Sequence, residues 1–340
     1  MAGLPTIGVR VHGGLSPRAC IEIGEAVEQN GLAALWFAEN PFNRGVLPAV
    51  AGTVIATKRI RVGIGVFNPY NRHPTLIAMD IGALDELADG RACLGLGSGI
   101  GDRVTRMGLS YDKPLGAVRD AITIVRGMLR GDSVTHEGSV FTVKNVKLEF
   151  AAPRPDLPIY MAATGDQALR LCGQIADGLM ISNMCPPGYT VRALELLAEG
   201  AQKANRVSPK TIIQYVPCVV RKDRNEAHQI VKGTVGEMLS AYWTMGEKWP
   251  ATRQAMLRGS GIPEAEFITA ITRIRNGERP AAVLDDRFVE AYSIAGNVDD
   301  CVAAMRRFGD IGVTELVVTF VGGQPTVDMA YLASGLQSSA

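Results

Sequence analysis

Short apolar segments rich in β-branched residues alternate with longer segments of helical spacing along most of this chain. Such alternation predicts strand–helix units joined by right-handed crossovers, and hence a sheet of parallel strands. Segments such as Ile60–Val66 and Thr314–Phe320 are apolar at successive positions, which is typical of strands covered on both faces. The predicted strands are Thr6–Val11, Ala33–Ala38, Ile60–Val66, Ala92–Leu96, Pro158–Ala162, Gly178–Ile181, Ile212–Val220 and Thr314–Phe320.

Helical segments lie between these strands, and Ser16, a residue type favoured as an N-cap, precedes the first of them. The predicted helices are Pro17–Asn30, Pro48–Thr57, Thr75–Ala88, Leu115–Leu129, Gln167–Ala176, Thr190–Asn205 and Val298–Phe308. Eight strand–helix units close most simply into a barrel. The expected fold is therefore an α/β TIM (β/α)8 barrel.

Three segments exceed what a minimal barrel needs. Residues 101–114 form a polar stretch after the fourth strand, which we interpret as a loop. Residues 131–150 alternate with period two around Glu137 and Gly138, which predicts a β-hairpin. Residues 244–292 contain irregular helical pieces interrupted by prolines and glycines. We interpret all three as insertions in one domain that spans residues 1–340.

Charge and composition exclude several classes of function. Lysine plus arginine number 35 against 34 acidic residues, and no basic block stands out, so a nucleic-acid partner is not expected. No apolar run is long enough to predict a membrane-spanning helix, and the N-terminal segment lacks the features of a secretory signal. The six cysteines form no CxxC pair and the four histidines no HExxH. We therefore expect a cytoplasmic protein with buried thiols and without a metal or a membrane contact.

The carboxyl ends of barrel strands carry the active site in this fold, so the residues there are the candidates. Glu39 and Asn40 follow the second strand in a partly aromatic setting, where a carboxyl group can have a shifted pKa and move a proton or orient a ring. The alternative for Glu39 is an ion pair with Arg44. Arg10, near the end of the first strand, would favour an anionic ring or an acidic substrate if it faces the barrel mouth.

The glycine run Gly95–Gly101 follows the fourth strand. It does not match GxGxxG in either frame, and GxxxxGK is absent, so a Rossmann fold and a P-loop are both disfavoured. Alternate glycines can let a flat ligand approach the backbone closely. They can equally relieve crowding at the barrel rim.

A second candidate binding segment runs from Tyr160 to Leu169, where a strand passes through small residues directly into a helix. The free N–H groups at such a helix start, together with the Thr164 hydroxyl, predict a phosphate site. Asp166 offers the alternative that its own carboxylate caps the helix.

Together these segments resemble the bacterial-luciferase-like flavin and deazaflavin oxidoreductases. The similarity is closest to the branch that contains methylenetetrahydromethanopterin reductase, which uses coenzyme F420. The matching segments are LWFAEN, VGIGVFNPYNRHPTLIAMDIGALDELADGRACLGLGSG, PIYMAATGDQALRLCGQIADGLMISN and AYSIAGNVDDCVAAMRRFGDIGVTELVVTF. They span most of the chain outside residues 242–290.

The resemblance implies a luciferase-like TIM barrel with a cofactor ring across its mouth. It also implies a non-prolyl cis peptide bond between Gly65 and Val66, which forms a bulge against that ring. The other cofactor-binding positions that it implies are Asn68, Gly97, Ser98, Gly99, Ala163, Thr164 and Gly165. The chain departs from the family where Glu39 replaces a usual aspartate, and where Arg10 replaces a glutamate of the reductase branch.

These features predict an oxidoreductase that transfers a hydride between reduced coenzyme F420 and a small organic substrate, with a methylene-tetrahydropterin as one candidate. Glu39 is the candidate for proton handling, and Asn40 and Arg10 are candidate ring or substrate contacts. One alternative is an FMN-dependent luciferase-like monooxygenase or methylenetetrahydrofolate-type reductase. Another is a barrel that binds a ligand without catalysis. Members of this family commonly pair through helices two and three, so we also expect a homodimer.

Overall fold

The computed structural model describes residues 3–338. Its main sheet has nine strands, and eight of them form a closed parallel ring because β8 also pairs with β9. The ring order is β1, β2, β3, β4, β7, β8, β9 and β11. The ring strands are β1 (Thr6–His12), β2 (Ala34–Ala38), β3 (Arg61–Phe67), β4 (Ala92–Leu96), β7 (Ile159–Ala162), β8 (Gly178–Ile181), β9 (Thr211–Val220) and β11 (Glu315–Phe320). The predicted strands and the TIM barrel are confirmed.

Helices cover the outside of the ring. They are α1 (Pro17–Gln29), α2 (Leu47–Ala56), α3 (Pro74–Leu87), α4 (Gly101–Arg106), α5 (Pro114–Leu129), α6 (Asp166–Ile175), α7 (Pro187–Lys203), α13 (Val298–Asp310) and α14 (Pro325–Ser338). Local sequence explains where several begin. Ser16 accepts a hydrogen bond from the Ala19 amide at the start of α1, as predicted, and Asn297 and Asp300 form a reciprocal capping box at α13.

The predicted hairpin is also present, as strands β5 (Val134–Glu137) and β6 (Thr142–Val146), which pair antiparallel. Asp120 of α5 anchors it, because this buried carboxylate accepts hydrogen bonds from the amides of Val140 and Phe141. The same hydrogen bonds lower the pKa of Asp120 although burial alone would raise it. The hairpin is thereby attached to α5 on the outside of the barrel.

One expectation about the insertions is wrong and another is incomplete. Residues 101–114 are not all loop, since residues 101–106 form α4. The irregular segment expected at 244–292 is part of a longer helical region, which begins with one continuous helix of 25 residues. That region contains α8 (Arg224–Lys248), α9 (Pro250–Leu257), α10 (Glu264–Arg275), α11 (Pro280–Val283) and α12 (Asp286–Tyr292), followed by the unpredicted three-residue strand β10 (Ile294–Gly296).

The physical reason is that polar residues occupy inward positions of α8. His228 and Lys232 are buried there because both face Asp286 of α12, at 3.1 and 2.9 Å. Sequence prediction takes apolar residues as the buried face of a helix. It therefore cannot recognise a helix that buries charged side chains. We call α8–α12, residues 224–292, the helical insertion.

Large side chains from alternate strands fill the interior of the ring. Trp36 is fully buried, and its indole N–H donates to a carboxylate oxygen of Glu315 at 2.8 Å. Gly63 leaves the room for this indole, since a Cβ there would lie 2.4 Å from a Trp36 ring atom. The barrel is therefore a packed core, with space only at its mouth.

All six cysteines are buried and unpaired, as predicted. Within residues 3–338, none of the helices combines the length and apolar character needed to cross a bilayer.

Candidate active site

One cavity of about 370 Å³ opens at the carboxyl ends of the strands, between the barrel and the helical insertion. Every site residue predicted from the sequence lines it, although the positions extend along the chain from Arg10 to Gly165. These residues are Arg10, Glu39, Asn40, Gly65, Val66, Asn68, Gly97, Ser98, Gly99, Ala163, Thr164 and Gly165. The structure thus brings the candidates together, and their individual roles stay predictions.

A bulge in β3 forms the floor of this cavity. The Gly65–Val66 peptide bond is cis, as the resemblance implies, and the pairing register with β4 shifts between Ile64 and Phe67. Tyr215 supports the bulge from within the barrel, because its hydroxyl donates to the Gly65 carbonyl at 3.2 Å. Burial raises the pKa of this phenol, so it remains a donor at neutral pH.

The glycines after β4 fit around the bulge. A Cβ at Gly97 would lie 3.0 Å from a methyl group of Val66, which is tighter than an ordinary contact. Gly99 has a φ of +75°, and a Cβ there would lie 2.7 Å from the side-chain nitrogen of Asn68. Relief of crowding therefore explains part of the glycine run, and the same residues also line the cavity.

Asn68 has a structural role at the rim. It is 2% exposed, and its side-chain oxygen accepts hydrogen bonds from the amides of Tyr70 and Asn71 at 3.0 and 2.9 Å. These bonds fix the turn after β3. The side chain consequently holds the shape of the rim in addition to lining the cavity.

Glu39 lies at the mouth with one oxygen engaged and one without a partner. Its Oε1 accepts from Arg72 at 3.2 Å, whereas its Oε2 is buried and has no hydrogen-bond partner among the described residues. The expected ion pair with Arg44 is wrong, because Arg44 donates to the backbone carbonyls of Gly13 and Gly14. Arg72 replaces it although it is 33 residues away in sequence, since β2 and β3 are neighbours in the ring.

Burial dominates the electrostatics of Glu39 and raises its pKa, and the Arg72 charge opposes this only in part. Arg72 is a shared partner, because it also binds Asp80 at 2.7 Å. A carboxyl group with a raised pKa and a free oxygen in a cavity is suited to hold and release a proton.

The start of α6 supplies the polar end of the cavity. Gly165 is the N-cap, and no side chain caps this helix, so the alternative that Asp166 caps it is wrong. The Asp166 carboxylate faces Arg258 and Arg192 instead, at 3.6 and 3.8 Å. The first-turn amides are left available to an anion at the cavity, where Thr164 and Gly165 lie.

Sequence reasoning missed the opposite wall, which is largely aromatic. Tyr111 packs edge-on against Trp249 with ring centroids 5.3 Å apart, and its hydroxyl donates to the Gly99 carbonyl at 3.2 Å. Tyr242 and Ser182 lie with their hydroxyl oxygens 3.3 Å apart. Three wall residues, Tyr242, Met245 and Trp249, come from α8 or its end. No motif marks them, and only the fold of the helical insertion brings them to the mouth.

Comparisons with known proteins agree with this geometry. A family model described as luciferase-like monooxygenase matches residues 3–315. The chain is 32% identical over 294 residues to a 5,10-methylenetetrahydromethanopterin reductase of Methanolobus tindarius, which covers 85% of this chain and 86% of the relative. It is 30% identical over 301 residues to the corresponding reductase of Archaeoglobus fulgidus, with the same coverage.

Solved structures show the same fold at lower identity. The coenzyme F420-dependent tetrahydromethanopterin reductase of Methanopyrus kandleri superposes with a TM-score of 0.85 at 23% identity, covering 99% of both chains. The oxygenating constituent of a type II Baeyer–Villiger monooxygenase from Pseudomonas putida, solved with FMN, superposes with a TM-score of 0.73 at 15% identity, covering 97% of both chains. Coenzyme F420 and FMN therefore both serve enzymes of this fold.

Proposed function

Because this chain belongs to the luciferase-like monooxygenase family, which includes the F420-dependent reductases, we propose that it is a coenzyme F420-dependent oxidoreductase. The observation that carries the proposal is that one cavity holds the β3 bulge on its floor and the uncapped start of α6 at its end. The two features match the two parts of such a cofactor, a flat tricyclic ring and a phosphate. The similarity to methylenetetrahydromethanopterin reductases, together with the fold shared with a reductase described as coenzyme F420-dependent, favours F420 over FMN.

The residues present fit this cofactor. Gly97 and Gly99 leave the space beside the bulge that side chains would fill. The amides of the first turn of α6 and the Thr164 hydroxyl would bind the phosphate. When bound, reduced F420 supplies a hydride from C5 of its central ring, and the substrate accepts the two electrons.

The protein contributes positioning and proton handling. Tyr215 fixes the Gly65 carbonyl and thereby the floor on which the ring rests. Glu39 would supply from Oε2 the proton that a reduced substrate requires, since this atom is buried at the cavity without another partner. Asn40, next to it on the rim, would orient the ring or the substrate by a side-chain hydrogen bond.

The substrate is a small organic molecule. Methylene-tetrahydropterins are the first compounds to test, because the curated relatives are named as reductases of that class. The aromatic wall of Tyr111, Tyr242 and Trp249 would pack against a planar substrate of this kind.

Two further features stay proposals. A homodimer is supported by large apolar side chains on adjacent helices α2 and α3, which are 46–63% exposed; these are Ile55, Leu76, Met79 and Leu87. A cytoplasmic location is supported by the six unpaired thiols, since reducing compartments keep cysteines in that form.

Direct titration tests the proposal. We expect the purified protein to bind F420 at least tenfold more tightly than FMN, measured by quenching of protein fluorescence. Adding a negative charge at the phosphate site, as Ala168→Glu, should lower F420 affinity roughly tenfold or more, because it places like charge beside the phosphate. The matched control is Gln174→Glu, which adds the same charge near the far end of α6.

Tighter binding of FMN would replace the proposal with the FMN-dependent alternative. Binding of neither cofactor would favour a barrel that binds another ligand without redox chemistry. Equal affinities in the Ala168→Glu and Gln174→Glu variants would remove the α6 start from the phosphate site.

A further inference from the structure

Arg10 places a positive charge in the cavity without a counter-charge. Its Nε is buried without a hydrogen-bond partner, and in residues 3–338 no carboxylate forms an ion pair with it. Its guanidinium carbon lies 5.1 Å from the centroid of the Tyr215 ring, a cation–π contact that leaves the N–H groups unused. A partly buried guanidinium in this state costs free energy unless a ligand completes it.

Other arginines at the mouth are bonded within the protein. Arg72 binds two carboxylates, Arg44 donates to two backbone carbonyls, and Arg103 donates to one at 3.1 Å. Arg10 therefore differs from them: it lines the cavity, and none of the described residues accepts a hydrogen bond from its side-chain donors. Such donors suit a planar oxyanion, which a guanidinium can bind through two parallel N–H groups.

The position of Arg10 also indicates which part of the substrate it meets. Tyr215 packs against Arg10 on one side and bonds to the Gly65 carbonyl of the bulge through its hydroxyl. One side chain thus separates Arg10 from the floor on which the cofactor ring is proposed to rest. A group bound by Arg10 lies beside the reacting carbon and not at a remote end of the substrate.

We infer that the substrate carries a carboxylate or equivalent oxyanion close to the carbon that exchanges hydride, and that Arg10 binds it. The inference rests on the proposed function, because it names the class of substrate for that reaction. The aromatic wall opposite would pack on the apolar body of the same molecule. The ring carbonyl of a methylene-tetrahydropterin is neutral, so it could accept a hydrogen bond from Arg10 but would not supply the oxyanion that the inference requires.

Benzoate and benzamide are suitable probes, since they share size and shape and differ in charge at neutral pH. Each is titrated calorimetrically into the F420-loaded protein and into the cofactor-free protein. We expect benzoate to bind roughly tenfold or more tightly than benzamide, which is the preference that a charge-assisted pair supplies. Arg10→Gln should abolish this preference, and Arg10→Lys should retain part of it.

Two controls separate Arg10 from general charge and from the cofactor. Arg18→Gln removes one positive charge from the exposed face of α1 and should leave the preference intact. The F420 affinity of Arg10→Gln should stay within about twofold of wild type. A large loss of F420 affinity with the benzoate preference retained would assign Arg10 to the cofactor and overturn the inference.

Equal binding of benzoate and benzamide by the wild-type protein would also overturn it. If the protein binds no F420, the proposed function is wrong, and the Arg10 site is then judged on the cofactor-free protein. An Arg10-dependent preference for benzoate in the cofactor-free protein would then still support an oxyanion site at Arg10.

Discussion

The cavity has two walls of different origin. The strand ends provide the bulge at Gly65, the acid Glu39 and the glycines after β4, all carried on the packed barrel. The helical insertion provides the opposite wall, and it has a hydrophobic cluster of its own, in which Phe267 packs against Trp243 and Phe288. The barrel wall holds the groups suited to hydride and proton transfer, and the insertion wall adds two aromatic side chains, Tyr242 and Trp249.

Several side-chain contacts join the two walls at the rim. Lys248 at the end of α8 reaches Asp102 of α4 at 2.5 Å, and Trp249 packs on Tyr111. The first of these pairs is exposed, and such ion pairs contribute little to stability. We expect changes in the barrel wall to affect every substrate, and changes in the insertion to leave cofactor binding unaltered.

The largest effect is expected from Glu39→Gln. A side chain that cannot release a proton should lower the rate of substrate reduction roughly 100-fold, the scale of general acid catalysis. In the wild type the rate should fall as pH rises through the raised pKa of Glu39, because the protonated form is the donor. Steady-state rates with reduced F420 across a pH series measure both effects, and Glu22→Gln on the exposed face of α1 is the matched control.

The free energy of unfolding should also depend on the ionisation of Glu39. A carboxyl pKa raised by folding stabilises the native state fully below the unfolded pKa, and this contribution is lost as pH rises through the native pKa. Glu39→Gln has no carboxyl group to ionise at this position. As pH rises from the unfolded to the native pKa of Glu39, its melting temperature should therefore increase relative to that of wild type. An unchanged rate and pH profile in Glu39→Gln would assign proton handling to another group.

The same two walls differ in how far the sequence predicts them. Repeated strand–helix units identify the barrel, and the topology then places residues as distant as Arg10 and Gly165 at one mouth. The partner of Glu39 could not be predicted, because Arg72 lies in the turn after the next strand and Arg44 is closer in sequence. The full extent of the insertion could not be predicted either, since the buried Lys232 breaks the apolar pattern on which recognition of α8 would depend.

A smaller effect is expected from Gly65→Ala. The added Cβ would lie 2.0 Å from the Tyr215 hydroxyl and 2.8 Å from the Met180 methyl group, so the floor of the cavity must shift. Overpacking of this kind costs about 1–3 kcal/mol, which predicts a roughly 10- to 100-fold loss of F420 affinity by fluorescence titration.

Removing the Tyr215 hydroxyl provides the internal check on that variant. The double variant with Tyr215→Phe should recover part of the affinity, because the closest clashing atom is gone. Gly233→Ala, at a position of α8 where nothing lies within 4 Å of the added atom, is the control in the insertion. Equal losses of F420 affinity in Gly65→Ala and Gly233→Ala would contradict the division between the two walls.

The smallest effect is expected from Asp286→Asn, which tests the insertion on its own. The change removes the counter-charge of buried Lys232, 2.9 Å away, but Asp286 is 56% exposed and solvent screens the pair. We therefore expect a loss of about 1 kcal/mol in the free energy of unfolding, with F420 affinity unchanged. Glu290→Gln, on the exposed face of α12, is the matched control.

The pH dependence of this loss has a definite sign. Lys232 and His228 lower the pKa of Asp286 against a smaller effect of burial, so the contribution is complete above the ordinary pKa of 3.8 and is lost as pH falls through the native pKa. The difference in free energy of unfolding between Asp286→Asn and wild type should therefore disappear in acid.

If residues 1–340 form one domain, chemical unfolding followed by circular dichroism and by tryptophan fluorescence should give one coincident transition in both proteins. A separate early transition in Asp286→Asn would instead make the helical insertion an independent unit, and cofactor retention after that transition would show that the barrel wall binds the ring alone.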